Sequence, residues 1–98
     1  MSEQILRATT TATGGAFSAR SSTQTFQATV SGSGSVSATV VIEVKQDRAA
    51  SWLTLGTITL AGTTSASDGF ACAAPWALYR ARVTAISAGH EVTVEMNS

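Results

Sequence analysis

The stretch "VSATVVIEV", residues 36 to 44, alternates. Val36, Ala38, Val40, Ile42 and Val44 fall on one side of an extended chain, Ser37, Thr39 and Glu43 fall on the other, and Val41 is the exception. A half-buried strand requires that period of two, because successive side chains point to opposite faces of the pleat. A helix would scatter the same residues around its axis, and β-branched side chains lose rotamer freedom there. Phe26, Ala28 and Val30 alternate with Thr25, Gln27 and Thr29 in the same way, as do Val92, Val94 and Met96 with Glu91, Thr93 and Glu95. In "WALYRARVTAI", Tyr79, Ala81 and Val83 share one face, and Leu78, Arg80, Arg82 and Thr84 share the other. Ile86 is out of phase, so a bulge near Thr84 and Ala85 is expected. "WLTL" and "TITL" read as two short strands or one strand kinked at Gly56.

Turn residues separate these runs. "SGSGS" at 31 to 35 is expected to close a hairpin between the Phe26 and Val40 strands, "KQDRAAS" to join Val44 to Trp52, and "SAGHE" to join Ile86 to Val92. "AGTTSASDG", residues 61 to 69, is expected to cross from one sheet to another as a loop. The resulting fold class is all-β: an antiparallel β-sandwich of Greek-key or jelly-roll type with six to eight short strands. Its expected core holds Phe26, Val40, Ile42, Val44, Trp52, Trp76, Val83, Val92 and Val94. Residues 1–21 alternate weakly around Gly14 and Gly15 and read as an N-terminal arm or edge strand, leaving 22–98 as the sandwich domain.

Composition narrows the uses of such a fold. The 98 residues suit one domain, and 13 Ser and 15 Thr against a single Pro fit strands with polar outer faces. Six basic residues balance six acidic ones, and charged residues make up only 12%, so no basic field is available for nucleic acid or an anionic membrane. Apolar runs are far shorter than a spanning helix needs, and "MSEQILRATT" has no apolar signal region. A soluble protein made in a cytosol is expected. The lone Cys72 excludes an intrachain disulfide and a thiolate metal cluster, and its context "FACAAPW" reads as a buried structural thiol.

Few residues invite chemistry. Trp52 begins a strand after a charged turn and is read as a core residue that fixes register; Trp76, after Pro75, is read the same way. His90 is the sole histidine, and beside Gly89 it reads as a solvated turn residue. Asp47 and Asp68 lie in separate turns without calcium-loop spacing, and Glu91 and Glu95 read as outer-surface charges. Neither enzymatic activity nor a cofactor or metal is expected. Arg80 and Arg82 stand two apart on one strand face, which is expected either to be solvated or to pair with an acidic group such as Glu43, the remaining reading being that with Arg7 they meet another subunit or a capsid.

The segment "ATVVIEVKQDRAASWLTLGTITLAGTTSASDGFACAAPWALYRARVTAISAGHEVTVEM" resembles small virion structural proteins of tailed bacteriophages. The resemblance lies in a strand, a charged turn, W-x-x-L-G, a polar crossing with S-D-G-F, P-W, an aromatic–Arg–Ala–x–Val strand and a final hairpin. It covers about residues 24 to 96 and departs at "QDRAAS", where such proteins carry D-G-x-x. It implies a non-enzymatic capsid decoration, or cement, protein. Such a protein would bind the major capsid protein across subunit junctions as a homo-oligomer, trimer or dimer, be made in the host cytoplasm and sit on the virion surface. The alternative is a tail, baseplate or fibre-associated β-module contacting host glycans through Trp52, Trp76 and Tyr79.

Overall fold

A computed structural model describes residues 2–18, 23–46, 51–72, 76–87 and 89–97. Among them every regular element is a strand: β1 (Ser2–Ala8), β2 (Ala12–Thr13), β3 (Phe17–Ser18), β4 (Gln24–Lys45), β5 (Leu53–Cys72), β6 (Leu78–Ile86) and β7 (Glu91–Asn97). All pairings are antiparallel.

The frame is one long hairpin. β4 runs 22 residues and β5 runs 20, paired from Gln24 opposite Cys72 to Val44 opposite Leu53. A straight strand of that length would span about 70 Å at roughly 3.3 Å per residue. The molecule's longest dimension is 40 Å, so the hairpin bends. The bend falls where register slips: Ser31 lies opposite Ser65 and Ser35 opposite Thr63, leaving Gly32, Ser33 and Gly34 to face Thr64 alone. Gly34 takes φ 74° without a Cβ penalty, whereas Thr64 takes φ 64° with a branched side chain that resists it.

The other edge of β4 is shared between two partners. Thr25–Ser31 pairs with β7, and Ala38–Lys45 pairs with β6. β1 lies outside β7, and β2 and β3 lie along β6, giving the order β1-β7-β4-β6-β2. One sheet thus folds over on itself into a near-barrel. Its inner face gathers Phe26, Val40, Ile42, Val44, Val83, Val92 and Val94, together with Ile58, Leu60, Tyr79 and Met96, into a single buried cluster. Bulges tune the curvature. Thr84 is the extra residue between Ala85, opposite Thr39, and Val83, opposite Val40, as the phase break in the sequence predicts. Leu55 is the extra residue beside Gly56, so "WLTL" and "TITL" belong to one irregular strand.

Several sequence expectations are corrected. "SGSGS" closes no hairpin, because Phe26 and Val40 lie on the same strand on either side of the bend. "AGTTSASDG" crosses between the two halves of the sheet as extended β5, since its backbone groups pair with β4 across the bend. Nor does the β6–β7 connection close a hairpin: both strands pair with β4, and the crossing is pinned by the Ser87 amide donating to the Ser37 carbonyl at 3.1 Å and by their hydroxyls at 2.7 Å. Among the described residues strands number seven, but two are far from short. At the N-terminus, β1 is hydrogen-bonded to β7, and the Gly14 amide donates to the Ala81 carbonyl at 2.8 Å.

Candidate functional site

The outer face of β4 and β6, near the hairpin tip, carries the densest group of charged side chains among the described residues. Glu43 stands directly opposite Arg80 in the ladder, and Val41 opposite Arg82, so alternation brings Glu43, Arg80 and Arg82 onto one face. Arg80 Nε donates to Glu43 Oε1 at 2.7 Å, and Arg82 Nη2 lies 3.5 Å from Oε2. The arginines cover the carboxylate so fully that Glu43 is 7% exposed. Arg82 Nε is buried with no hydrogen-bond partner among the described residues.

Trp52 completes the patch. The Arg80 guanidinium sits 4.3 Å from its ring centroid and Lys45 Nζ sits 4.6 Å from it, both within cation–π range. Trp52 is half-buried and lies outside the core cluster, which corrects its reading as a core residue: its ring roofs the polar outer face. Trp76 is half-buried and packs against the core. Leu53, 55% exposed, flanks Trp52. The result is a patch with three cations around one carboxylate and an aromatic ring among them. An open groove of about 390 Å³ borders it, formed by Thr11, Ala12, Thr13, Arg82, Val83 and Thr84. Such a surface offers planar guanidinium groups and an aromatic ring side by side for contact with a partner.

Other candidates lie elsewhere. Arg7 is on β1, paired with Glu91 at 3.0 Å and well exposed, remote in the sheet order from Arg80 and Arg82. His90 is buried at 7% exposure, which corrects its reading as a solvated turn residue. Its ring fills the space above Gly32 at the bend of β4, where a Cβ would collide with it. Its Nδ1 has no hydrogen-bond partner among the described residues. Sequence periodicity missed this role because contact with Gly32 depends on how β4 folds over. Asp68 caps its own strand locally, accepting from the Gly69 amide at 2.8 Å, and Asp47 lies outside the described residues. Among the described residues no group of His, Cys, Asp and Glu is arranged to hold a metal.

Tyr79 anchors the base of the fold. Its hydroxyl donates to Gln24 Oε1 at 2.6 Å and accepts from the Trp76 amide at 2.9 Å, while its ring packs 5.6 Å from Phe26. Burial pushes the phenol above its ordinary value of 10.0; the Trp76 amide pulls it down, and Cys72 adds a smaller upward push.

No family model matches the chain, and no curated protein matches it. The chain is similar to a solved structure, the crystal structure of the SPBc2 prophage-derived protein YomS, with a TM-score of 0.60 and 14% identity over 98% of this chain and 89% of that one. At that identity the likeness is one of fold: the folded-over antiparallel sheet is shared with YomS along nearly the whole chain.

Proposed function

We propose that the chain is a non-enzymatic structural protein of a tailed-phage virion, and within that class a capsid decoration protein bound across junctions between major capsid proteins. The observation that carries this reading is the whole-chain likeness in fold to a prophage-derived protein. The outer face of β4 and β6 supports it. Arg80 and Arg82 stand beside the Trp52 ring there, and arginine with an aromatic ring is a pairing suited to a protein contact. A shell offers many equivalent sites, and a binder engaging more than one of them needs only modest energy at each contact.

The glycan-binding alternative is less well served. Tyr79 is fully buried, and the Trp52 ring is occupied on at least one face by a cation, which leaves little aromatic surface for a sugar. The test is co-sedimentation of purified protein with expanded, undecorated heads. Stoichiometric binding that is lost in Arg82→Glu supports decoration. Failure to bind heads, together with tryptophan fluorescence that shifts on addition of host glycans, would replace it with the tail reading.

A further inference from the structure

We propose that β5 is the dimerisation edge of the protein, pairing antiparallel with β5 of a second copy over residues Thr57–Thr63. The inference rests on how the sheet treats its edges and does not depend on the virion reading. β5 pairs with β4 alone among the described strands, so over Thr57–Thr63 its other side presents backbone amides and carbonyls that no described strand pairs with. Proteins usually blunt such an edge with charge, proline, bulges or brevity. The other outer strands here do so. β2 and β3 are two residues each, while β1 carries a bulge at Ile5 and the exposed Arg7.

Within β5 the segment "TITLAGT" has none of these guards. It contains no charged residue and no proline, and it is rich in residues that favour strands. Its register against β4 runs without a slip from Val41 opposite Thr57 to Ser35 opposite Thr63, between the Leu55 bulge and the Thr64 bend. Seven residues in regular register therefore form a ledge on which alternate residues direct amide and carbonyl groups away from β4.

A second copy is the occupant that the residues favour. A two-fold axis at Leu60 sets Thr57 opposite Thr63, Ile58 opposite Gly62 and Thr59 opposite Ala61. No charge meets a charge; Ile58 and Thr59 face the small Gly62 and Ala61, and Thr57 faces Thr63, a pairing that strands accept. Thr57, Thr59, Ala61 and Thr63 already point to the exposed outer face, and Ile58 and Leu60 already lie in the core. Pairing requires no side chain to leave its present surroundings. Asp68, the single charged residue of β5, falls outside the paired segment.

Sedimentation velocity across a concentration range, with amide exchange read residue by residue, tests the proposal. The wild-type chain should sediment as two copies, and amides within Thr57–Thr63 should lose protection on dilution as the dimer dissociates. The double variant Thr59→Lys, Ala61→Lys places like charges across the axis on exposed positions. It should weaken association at least tenfold, more at low salt, with an unchanged circular-dichroism spectrum. If the variant misfolds, dilution-dependent exchange in the wild type decides alone. A chain that is monomeric at every concentration would overturn the proposal. So would a dimer whose Thr57–Thr63 amides exchange as fast as in the monomer, or protection of that segment that arises only on binding heads and so assigns the edge to another protein. Head binding by a monomer would leave the proposed function standing while this inference fails.

Discussion

Glu43 accepts a 2.7 Å hydrogen bond from Arg80 directly across the β4–β6 ladder while its second oxygen faces Arg82, so one nearly buried carboxylate holds two arginines against the outer face. Ladder register sets this arrangement: a one-residue slip would send Glu43 into the core. Replacing Glu43 with Gln keeps the shape and removes the charge, leaving both guanidinium groups without their counter-ion. A fully buried pair broken in this way costs about 3–5 kcal/mol. Arg80 and Arg82 keep 25% and 42% of their side chains exposed, so water compensates in part. Urea denaturation of Glu43→Gln should show a loss of about 1–3 kcal/mol. The loss should shrink when Arg80→Gln is added.

The bend of β4 depends on the absence of a side chain at Gly32. Any Cβ there meets the His90 ring, so Gly32→Ala must displace His90 or open the bend. Thermal melts should place Gly32→Ala about 1–3 kcal/mol below wild type, the range for overpacking a close-fitted site. Adding His90→Ala vacates the obstructing space. The double variant should therefore lose less than the two single losses combined, and strict additivity would separate the two residues.

Thr64 is the reverse case, a branched residue held at φ 64° opposite the three-residue bulge. Glycine adopts that conformation freely, at the expense of a more flexible unfolded chain. Thr64→Gly should be neutral or stabilising by up to about 1 kcal/mol, whereas Thr59→Gly in regular β5 should destabilise by about 0.5–1 kcal/mol. Chemical denaturation of the two variants side by side measures the contrast.

Tyr79→Phe removes the hydroxyl that bonds both Gln24 Oε1 and the Trp76 amide at the base of the fold. The expected loss is about 1–3 kcal/mol. Alkaline pH gives a second readout. Because burial raises the Tyr79 phenol in the folded state, the native chain keeps its proton at a pH where the unfolded chain has released it. The stabilisation is complete below the unfolded value near 10 and is lost as pH rises through the higher folded value. Tyr79 is the only tyrosine, so ultraviolet difference titration reads this group directly. A midpoint at or below that of the unfolded chain would contradict the buried hydroxyl.

Alternation by itself determined the local structure of this protein. Val40, Ile42 and Val44 point inward, as do Phe26, Val92 and Val94, because a strand half in water must segregate apolar and polar side chains every second residue. Periodicity also marked the Thr84 bulge, since a phase break within one strand is a local event. Arg80 and Arg82 were placed on one face for the same reason, with Glu43 in reach. Only tertiary structure decided that residues 24 to 45 form one bent strand rather than two strands and a turn. "SGSGS" satisfies a hairpin and a bulge equally, and the choice rests on whether its neighbours pair with each other or with β5, β6 and β7. The same long-range pairing buried His90 against Gly32 and drew Trp52 onto the outer face beside Lys45 and Arg80. Contacts of that kind join residues that are distant along the chain, and their energies depend on a fold that no short window of sequence contains.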